Sequence, residues 1–389
     1  MKKILMVFGT RPEAIKLAPI IREIKNHSSL KGIVCVFRQH DEMLNHILKV
    51  FNITPDYDLK ITLSDKALFS KGINIFIKIK NLAVSGISFL KFLRILKKEK
   101  PDILMVQGDT STAFLAAFFA FHFKIKIAHI EAGLRTYDKY SPFPEEMNRQ
   151  LISRLTDFHF APTEQAKNNL LKEGVAEEKI FLTGNTVIDA LFIIKENQEK
   201  NSLEYKNNFS KKYDIDFNDK KIILVTVHRR ESFGEGLKNI FSAIKEIAQK
   251  RKDVEIIYPV HLNPNVYHLA QEMLSGISNI HLIEPLKYDE FVFLMGKSYL
   301  ILTDSGGIQE EAPSLRRPVL VMRDITERQE GIETGVSKLV GIKTENIINE
   351  TFLLLDNKNV YNKMASGNNP YGGGKAAEKI IKAIADNLF

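Results

Sequence analysis

The stretch Leu302-Thr-Asp-Ser-Gly-Gly-Ile-Gln-Glu-Glu-Ala-Pro-Ser314 carries the residue types of an anion seat. The apolar run Tyr299–Thr303 is of strand length, and Ile308 to Leu315 reads as a short helix. The chain therefore turns through Ser305-Gly306-Gly307 from a strand straight into a helix. Glycine has no Cβ, so a ligand can come close to the backbone there. The unpaired N–H groups of a helix start, and the helix dipole, favour an anion at that point. One turn on, Glu311 can reach a polar group beside the anion, such as a ribose diol. Seat and hook together predict a nucleotide diphosphate, with Arg11, Lys16 and Arg149 as cations to pair with it. The carboxylates Asp109, Glu131, Glu145 and Glu146 could move protons, because crowded carboxylates raise one another's pKa until one is an acid while another is ionised. His228 adds an imidazole, whose ordinary pKa lies near neutral. A nucleotide diphosphate with paired acids points to proton transfer on a sugar. For Glu145 and Glu146 the plain alternative is a solvated helix start, where acids suit the dipole.

The elements that must position these residues alternate along the chain. Strand-like runs are Lys3–Phe8, Ile33–Phe37, Ile103–Val106, Ile125–Ile130 and Phe158–Ala161, then Ile222–Val227, Val254–Pro259, Ile280–Leu282, Tyr299–Thr303 and Pro318–Met322. Helical patterns lie between them, such as Glu145–Leu155 and Glu235–Lys250. Alternating β and α runs predict an α/β protein with parallel sheets covered by helices on both faces. The runs form two series, separated by Gly184-Asn185 and the lysine-rich region 195–221. This predicts two Rossmann-like domains facing a central cleft, residues 1–183 and 184–367. Residues 368–389 are expected to form a helix that packs back on the first domain. On this scheme Thr10-Arg11, Gln39-His40, Gly108-Asp109, Glu131, His228-Arg229, His261 and Asp304-Ser305 all follow strands. The carboxyl edge of an open α/β sheet is where ligands bind.

Composition narrows the classes. A chain of 389 residues with 44% hydrophobic and 26% charged residues is an ordinary globular protein, too long for one core. Its single cysteine, Cys35, rules out an internal disulfide and reads as a small core residue. No Cys/His cluster has zinc spacing, so no metal is expected. There is no Gly-x-Gly-x-x-Gly and no Walker loop, so no dinucleotide cofactor is expected. The apolar run after Met1 is too short for a secretory h-region, and a cytoplasmic protein is expected. The net charge of +8 is local: residues 66–100 hold nine Lys/Arg against Glu99, and the remainder is formally neutral. That segment reads as an amphipathic helix pair with a solvated lysine face. A subunit interface or an anionic membrane surface are the alternatives, and a nucleic-acid surface is not expected.

Longer motifs sharpen this. They are Gly9-Thr-Arg-Pro-Glu-Ala-Ile-Lys16, Gln107-Gly-Asp-Thr110, His129-Ile-Glu-Ala-Gly-Leu-Arg-Thr136, Pro142-Phe-Pro-Glu-Glu-Met-Asn-Arg149, Thr183-Gly-Asn-Thr-Val-Ile-Asp189, His228-Arg-Arg-Glu231 and Pro259-Val-His-Leu-Asn-Pro264. With the Leu302–Ser314 stretch they run in colinear order over nearly the whole chain. Together they resemble the bacterial non-hydrolysing UDP-N-acetylglucosamine 2-epimerases. The resemblance implies a GT-B-like fold, a homodimer, no cofactor, and an isomerase interconverting UDP-GlcNAc and UDP-ManNAc for surface polysaccharide. It implies that UDP leaves to give a 2-acetamidoglucal and then adds back. By the same resemblance Asp109, Glu131, Glu145 and His228 are the catalytic set. Arg11, Lys16, Arg149, Phe291, Ser305, Gly306, Gly307 and Glu311 hold the UDP-sugar. Which carboxylate takes the C2 proton is left open.

There are departures. Many family members bind a second UDP-GlcNAc as an activator, and Gln39, His40, Arg229 and His261 match that site. Here Asp41-Glu42 follows His40, and Leu63-Ser-Asp-Lys-Ala-Leu68 lacks the usual glutamine. An added acid near a diphosphate repels it, so weakened activation is expected. Arg316 stands where a helix-ending glycine is usual, and Gln329 where proline is usual. The competing readings are a 2-epimerase of a modified UDP-HexNAc, a hydrolysing epimerase, and a GT-B glycosyltransferase. A non-catalytic nucleotide-sugar sensor would not need the four catalytic candidates.

Overall fold

A computed structural model of the chain describes residues 1–38, 42–60, 75–200, 202–213, 215, 217 and 220–388, with 75–85 and 202 as backbone alone. Gln39, His40, Asp41 and segment 61–74 lie outside the described residues, as does the start of the basic run. The chain divides into two units, Met1–Ala190 with Tyr371–Phe389, and Leu191–Pro370.

The first unit is a parallel sheet of β1 (Lys2–Phe8), β2 (Leu30–Arg38), β3 (Tyr57–Lys60), β4 (Ile103–Gln107), β5 (Lys126–Ile130), β6 (Phe158–Ala161) and β7 (Ile180–Leu182). Its order is β3-β2-β1-β4-β5-β6-β7. The chain winds outward from β1 to β3, then returns to lay β4 on the other side of β1. The crevice at a parallel sheet's carboxyl edge opens at such a reversal, here between β1 and β4. The helices are α1 (Arg11–Asn26), α2 (Glu42–Val50), α3 (Ile75–Glu99), α4 (Ser111–His122), α5 (Glu145–Leu155), α6 (Glu164–Lys172) and α7 (Thr186–Lys200). Every residue of β4 is buried, as a strand covered on both faces requires. Leu5, Val7, Leu104 and Val106 pack with Phe37, Phe92 and Ala116 in the core, which also holds Cys35. In α3, Phe92, Ile95 and Leu96 face that core while Lys91, Arg94, Lys97 and Lys98 are exposed.

The second unit repeats the plan. It contains α8 (Ser202–Tyr213), β8 (Lys221–Thr226), α9 (Glu235–Lys250), β9 (Val254–Pro259), α10 (Pro264–Leu274), β10 (Ile280–Ile283), α11 (Tyr288–Lys297), β11 (Leu300–Thr303) and α12 (Gly306–Glu311). After these come β12 (Val319–Val321), α13 (Gln329–Glu333), β13 (Ser337–Leu339), α14 (Thr344–Asp356) and α15 (Lys358–Ala365). The sheet order is β10-β9-β8-β11-β12-β13, again parallel, with its reversal between β8 and β11. In α9 the residues Leu237, Ile240, Phe241, Ile244 and Ile247 recur at helical spacing, and all are buried. Their burial fixes which face of α9 meets the sheet.

The lysine-rich region 195–221 is largely helical, the end of α7 followed by α8, because its Leu203 to Phe209 stretch carries enough helix formers between the lysines. Asp189 in α7 is tied to the C-terminal segment. Its carboxylate accepts from Ala376 N at 3.2 Å and Ala377 N at 2.9 Å, the opening N–H groups of α16 (Ala376–Leu388). Helix α16 packs on α1, both in the first unit. Among the described residues no helix is long and apolar enough to cross a membrane.

Candidate functional site

In the first unit, the turn after β1 is held by a buried acid. Glu13 accepts hydrogen bonds from Gly9 N (3.0 Å), Thr10 N (2.7 Å), Thr10 Oγ1 (2.8 Å) and Thr110 Oγ1 (2.6 Å). Burial raises its pKa, and those hydrogen bonds only partly oppose the rise. Glu13 so joins the turn after β1 to the start of α4, where Thr110 also caps Ala113 N. A Cβ at Gly9 would stand 2.9 Å from Phe37 O, so only glycine fits. Arg11, at the first position of α1, extends to Met43 Sδ at 3.5 Å.

Asp109 follows β4 through Gly108, whose φ is +69°. Its Oδ2 pairs with Arg149 Nε at 2.9 Å and Nη2 at 2.7 Å. Arg149 also reaches Glu146 Oε2 at 3.2 Å. Glu146 is fully buried and accepts from Thr136 N (3.0 Å), Tyr137 N (3.2 Å) and Gln150 Nε2 (2.9 Å). Burial pushes its pKa up, but these donors and Arg149 outweigh burial and hold it lowered. Glu146 is therefore a brace for the turn at Thr136 and Tyr137, not a free acid of the edge. Its neighbour Glu145 differs: Oε2 is shielded from solvent and has no hydrogen-bond partner among the described residues.

Glu131 follows β5 in the left-handed region, φ +64°, where residues other than glycine are strained. Lys16 Nζ lies 2.5 Å from Oε1, Asn185 Nδ2 donates to Oε1 at 3.1 Å, and Gln107 Nε2 donates to Oε2. Lys16, expected to face nucleotide, is thus paired with a carboxylate here, as Arg149 is. Behind this edge His129 donates Nε2–H to Gly108 O at 2.7 Å, and burial holds its pKa down to about 4.

In the second unit, Asp304 follows β11 and is fully buried. Its Oδ2 accepts from His228 N and Arg229 N, both at 2.7 Å, while Oδ1 lies 3.0 Å from His228 Nδ1. Asp304 therefore fixes the turn after β8, and His228 stacks on His261 with ring centroids 5.6 Å apart. The helix after Ser305 is short: α12 gives way to a 3-10 turn at Ala312–Leu315. Its dipole is weak, and charge comes from arginines. A Cβ at Gly306 would stand 3.5 Å from the guanidinium carbon of Arg328 and 3.7 Å from Arg229 Nη2. Arg328 was not singled out by sequence pattern. It pairs with the buried Glu310 at 2.7 Å. Arg229, read as regulatory, stands beside Gly306. Glu311 Oε2 accepts from Tyr288 OH at 2.9 Å, and its Oε1 would be 3.8 Å from a Cβ at Gly307. Phe291 sits half-buried in the first turn of α11. Arg323 bridges Glu231 and Glu327, tying the residues after His228 to the loop that carries Arg328.

Arg316 adopts φ 57°, ψ 41°, the left-handed conformation expected at that helix end. Gln329, in place of proline, donates to Thr326 O at 2.7 Å and so closes its own loop. Among the described residues no three His, Cys, Asp or Glu side chains are grouped to hold a metal ion.

These arrangements belong to a known group. The profile of the family described as UDP-N-acetylglucosamine 2-epimerase matches residues 22–385. A UDP-N-acetylglucosamine 2-epimerase of Campylobacter jejuni is 51% identical over 386 residues, covering 98% of this chain and 97% of its own. The crystal structure of UDP-GlcNAc 2-epimerase from Neisseria meningitidis bound to UDP-GlcNAc is similar with a TM-score of 0.85 at 46% identity, over 99% of this chain and 100% of that one. An S. aureus MnaA–UDP co-structure is similar at 0.84 and 44% identity, over 100% and 97% of the two chains. On a profile match over most of its length and full-length relatives near half identity, the chain belongs to the UDP-N-acetylglucosamine 2-epimerase family.

Proposed function

We propose that this chain is an isomerase that interconverts UDP-GlcNAc and UDP-ManNAc by inverting C2 of the sugar. The observation that carries the reading is full-length likeness to an epimerase solved with UDP-GlcNAc. C2 is not beside a carbonyl, so its proton is not acidic enough for simple removal. In the first half of the reaction the C1–O bond breaks and UDP leaves with the electron pair. The C2 proton passes to a carboxylate, and the C2–H pair becomes the C1=C2 bond of 2-acetamidoglucal. In the second half a proton adds to the opposite face of C2 and UDP adds back at C1. No net oxidation occurs.

Ser305, Gly306 and Gly307, with Arg229 and Arg328 beside them, are read as the diphosphate seat, and Glu311 as the ribose hook. Phe291, Arg11, Lys16 and Arg149 remain candidates for the rest of the UDP-sugar. Asp109, Glu131, Glu145 and His228 are read as catalytic. Glu131 accepts from Lys16, Gln107 and Asn185, so it is fixed in place and suits facing positive charge that grows on C1 without reorganising. Glu145, with one oxygen unpartnered, suits proton transfer.

Incubation with UDP-GlcNAc in D2O tests the reading. UDP-ManNAc carrying deuterium at C2 is expected by NMR. Free ManNAc and UDP as sole products would point to the hydrolysing reaction, and no turnover would sink the reading. Turnover of pure UDP-ManNAc without added UDP-GlcNAc tests the expected weakening of activation. We also read the chain as a cytoplasmic homodimer whose product feeds surface polysaccharide, with light scattering expected at twice its 44.4 kDa mass.

A further inference from the structure

We propose that Asn185 is a positioning residue for Glu131, and that through it the returning C-terminal segment helps set that carboxylate; this rests on the epimerase reading above. Asn185 is buried, at 3% exposure, just before α7. Three of its groups are engaged at once. Its side-chain Nδ2 donates to Glu131 Oε1 at 3.1 Å. Its Oδ1 accepts from Val187 N at 3.1 Å, which fixes the rotamer that aims Nδ2 at Glu131. Its backbone N–H donates to Tyr371 O at 2.8 Å, the first residue of the C-terminal segment of this unit.

The backbone around this point has no slack. Gly184 and Gly372 have φ of +89° and +111°, and a Cβ on Gly184 would stand 3.2 Å from Tyr371 O. A Cβ on Gly372 would stand 3.3 Å from Gly184 Cα. The two strands of chain are thus in backbone contact, and further along Asp189 holds Ala376 and Ala377. Glu131 itself is in a strained left-handed conformation, and a strained acid keeps one geometry only if its surroundings over-determine it. Lys16 supplies charge to the same oxygen, Oε1, and Gln107 holds the other. Lys16 comes from α1 and Gln107 from β4, and Asn185 adds a donor from the turn before α7, so the carboxylate is held from three separate parts of the unit.

The test is steady-state kinetics with the D2O exchange assay on the full-length chain, comparing Asn185→Ala and Asn185→Asp with wild type. Loss of an orienting partner typically costs about 10- to 100-fold. We expect kcat to fall by that range in Asn185→Ala while KM for UDP-GlcNAc stays within about twofold. Asn185→Asp keeps the acceptor for Val187 N but sets a carboxylate against Glu131. Its kcat relative to wild type should recover as pH is lowered, because a protonated aspartate can donate as the amide does. A merely structural role would not produce that recovery. If Asn185→Ala fails to fold, the pH dependence of the Asn185→Asp ratio decides alone. Wild-type exchange with both variants within about twofold in kcat, or a pH-independent ratio, overturns the role. A wild-type chain that exchanges no deuterium at C2 overturns the epimerase reading and this role with it.

Discussion

The two units share one topology and differ in what stands at the carboxyl edge. In the first, acids and cations alternate: Lys16 with Glu131, and Arg149 with Asp109 and Glu146. In the second, an acid is buried beneath the edge to shape it, and two arginines stand beside Gly306. Asp304 and Glu131 both follow strands, yet Asp304 gives its Oδ2 to two backbone N–H groups while Glu131 takes its donors from side chains. The same winding can therefore carry either a constellation of oriented acids or a seat for an anion. Which one results depends on whether the residue after the strand turns inward to bind backbone or stays at the edge.

If the first edge does the chemistry, its largest lever is Glu131. Glu131→Gln keeps the shape and removes the charge, and kcat is expected to fall about 1000-fold, the scale of acid–base and charge effects. KM should move little. Equal losses in kcat and 1/KM, or a KM effect alone, would erase the contrast between the edges.

The next test uses acid. His129 and His159 are paired in register on β5 and β6, and burial lowers them to about 4 and about 3 from 6.5. Their folded pKa values lie below the unfolded value, so the unfolded chain takes up protons first as pH falls. The stability held by neutral His129 is present above pH 6.5 and lost as pH drops toward 4, roughly 3 kcal/mol at about 1.4 per unit. In the second unit Glu327 is lowered from 4.5 to about 2: burial opposes this, and Arg323 outweighs burial. Its contribution is present above 4.5 and is lost only between there and about 2. Hydrogen exchange followed by peptide should therefore show β5 and β6 losing protection at higher pH than the Arg323–Glu327 loop. Simultaneous loss, or the reverse order, would contradict this.

Much of this was legible in the sequence, and what was not has physical causes. The central strands were readable because burial on both faces makes them continuous apolar runs. β3, β7 and β13 were not readable. They close the sheets at their edges, are short, and bury only one residue each. Residues at strand ends were readable as a set because a parallel sheet collects them on one edge. Their partners were not. Lys16, Gln107 and Asn185 meet Glu131 from far-separated positions, and no spacing rule links them. Arg328 was hidden likewise, on a loop with no periodic signal. Residue type alone puts Glu146 among the carboxylates that could move protons, beside Glu145. Only the turn at Thr136 and Tyr137, which Glu146 accepts from, sets the two apart.

On the second edge, Arg328→Met should act on affinity. Removing one guanidinium from an anion seat costs about 1.5 to 3 kcal/mol, or roughly tenfold or more in the Kd for UDP by calorimetry. It also removes the Arg328–Glu310 ion pair, so a lower Tm is expected. An unchanged Kd for UDP would show that Arg328 only serves Glu310.

The smallest effect compares strain with strain. Glu131 and Arg316 share nearly the same left-handed φ, 64° and 57°. At Glu131 the conformation accompanies an acid with Lys16, Gln107 and Asn185 around it, so relieving it with glycine would remove the acid. At Arg316 the side chain is exposed, and the conformation only ends the turn after α12, where its N–H bonds Pro313 O at 2.9 Å. Glycine adopts that conformation freely, so Arg316→Gly should stabilise by about 1 kcal/mol and raise Tm by roughly 2 °C. Neither kcat nor KM should change. A lower Tm would mean that the Arg316 side chain stabilises the fold by more than its backbone strains it, and the contrast with Glu131 would then rest on chemistry alone.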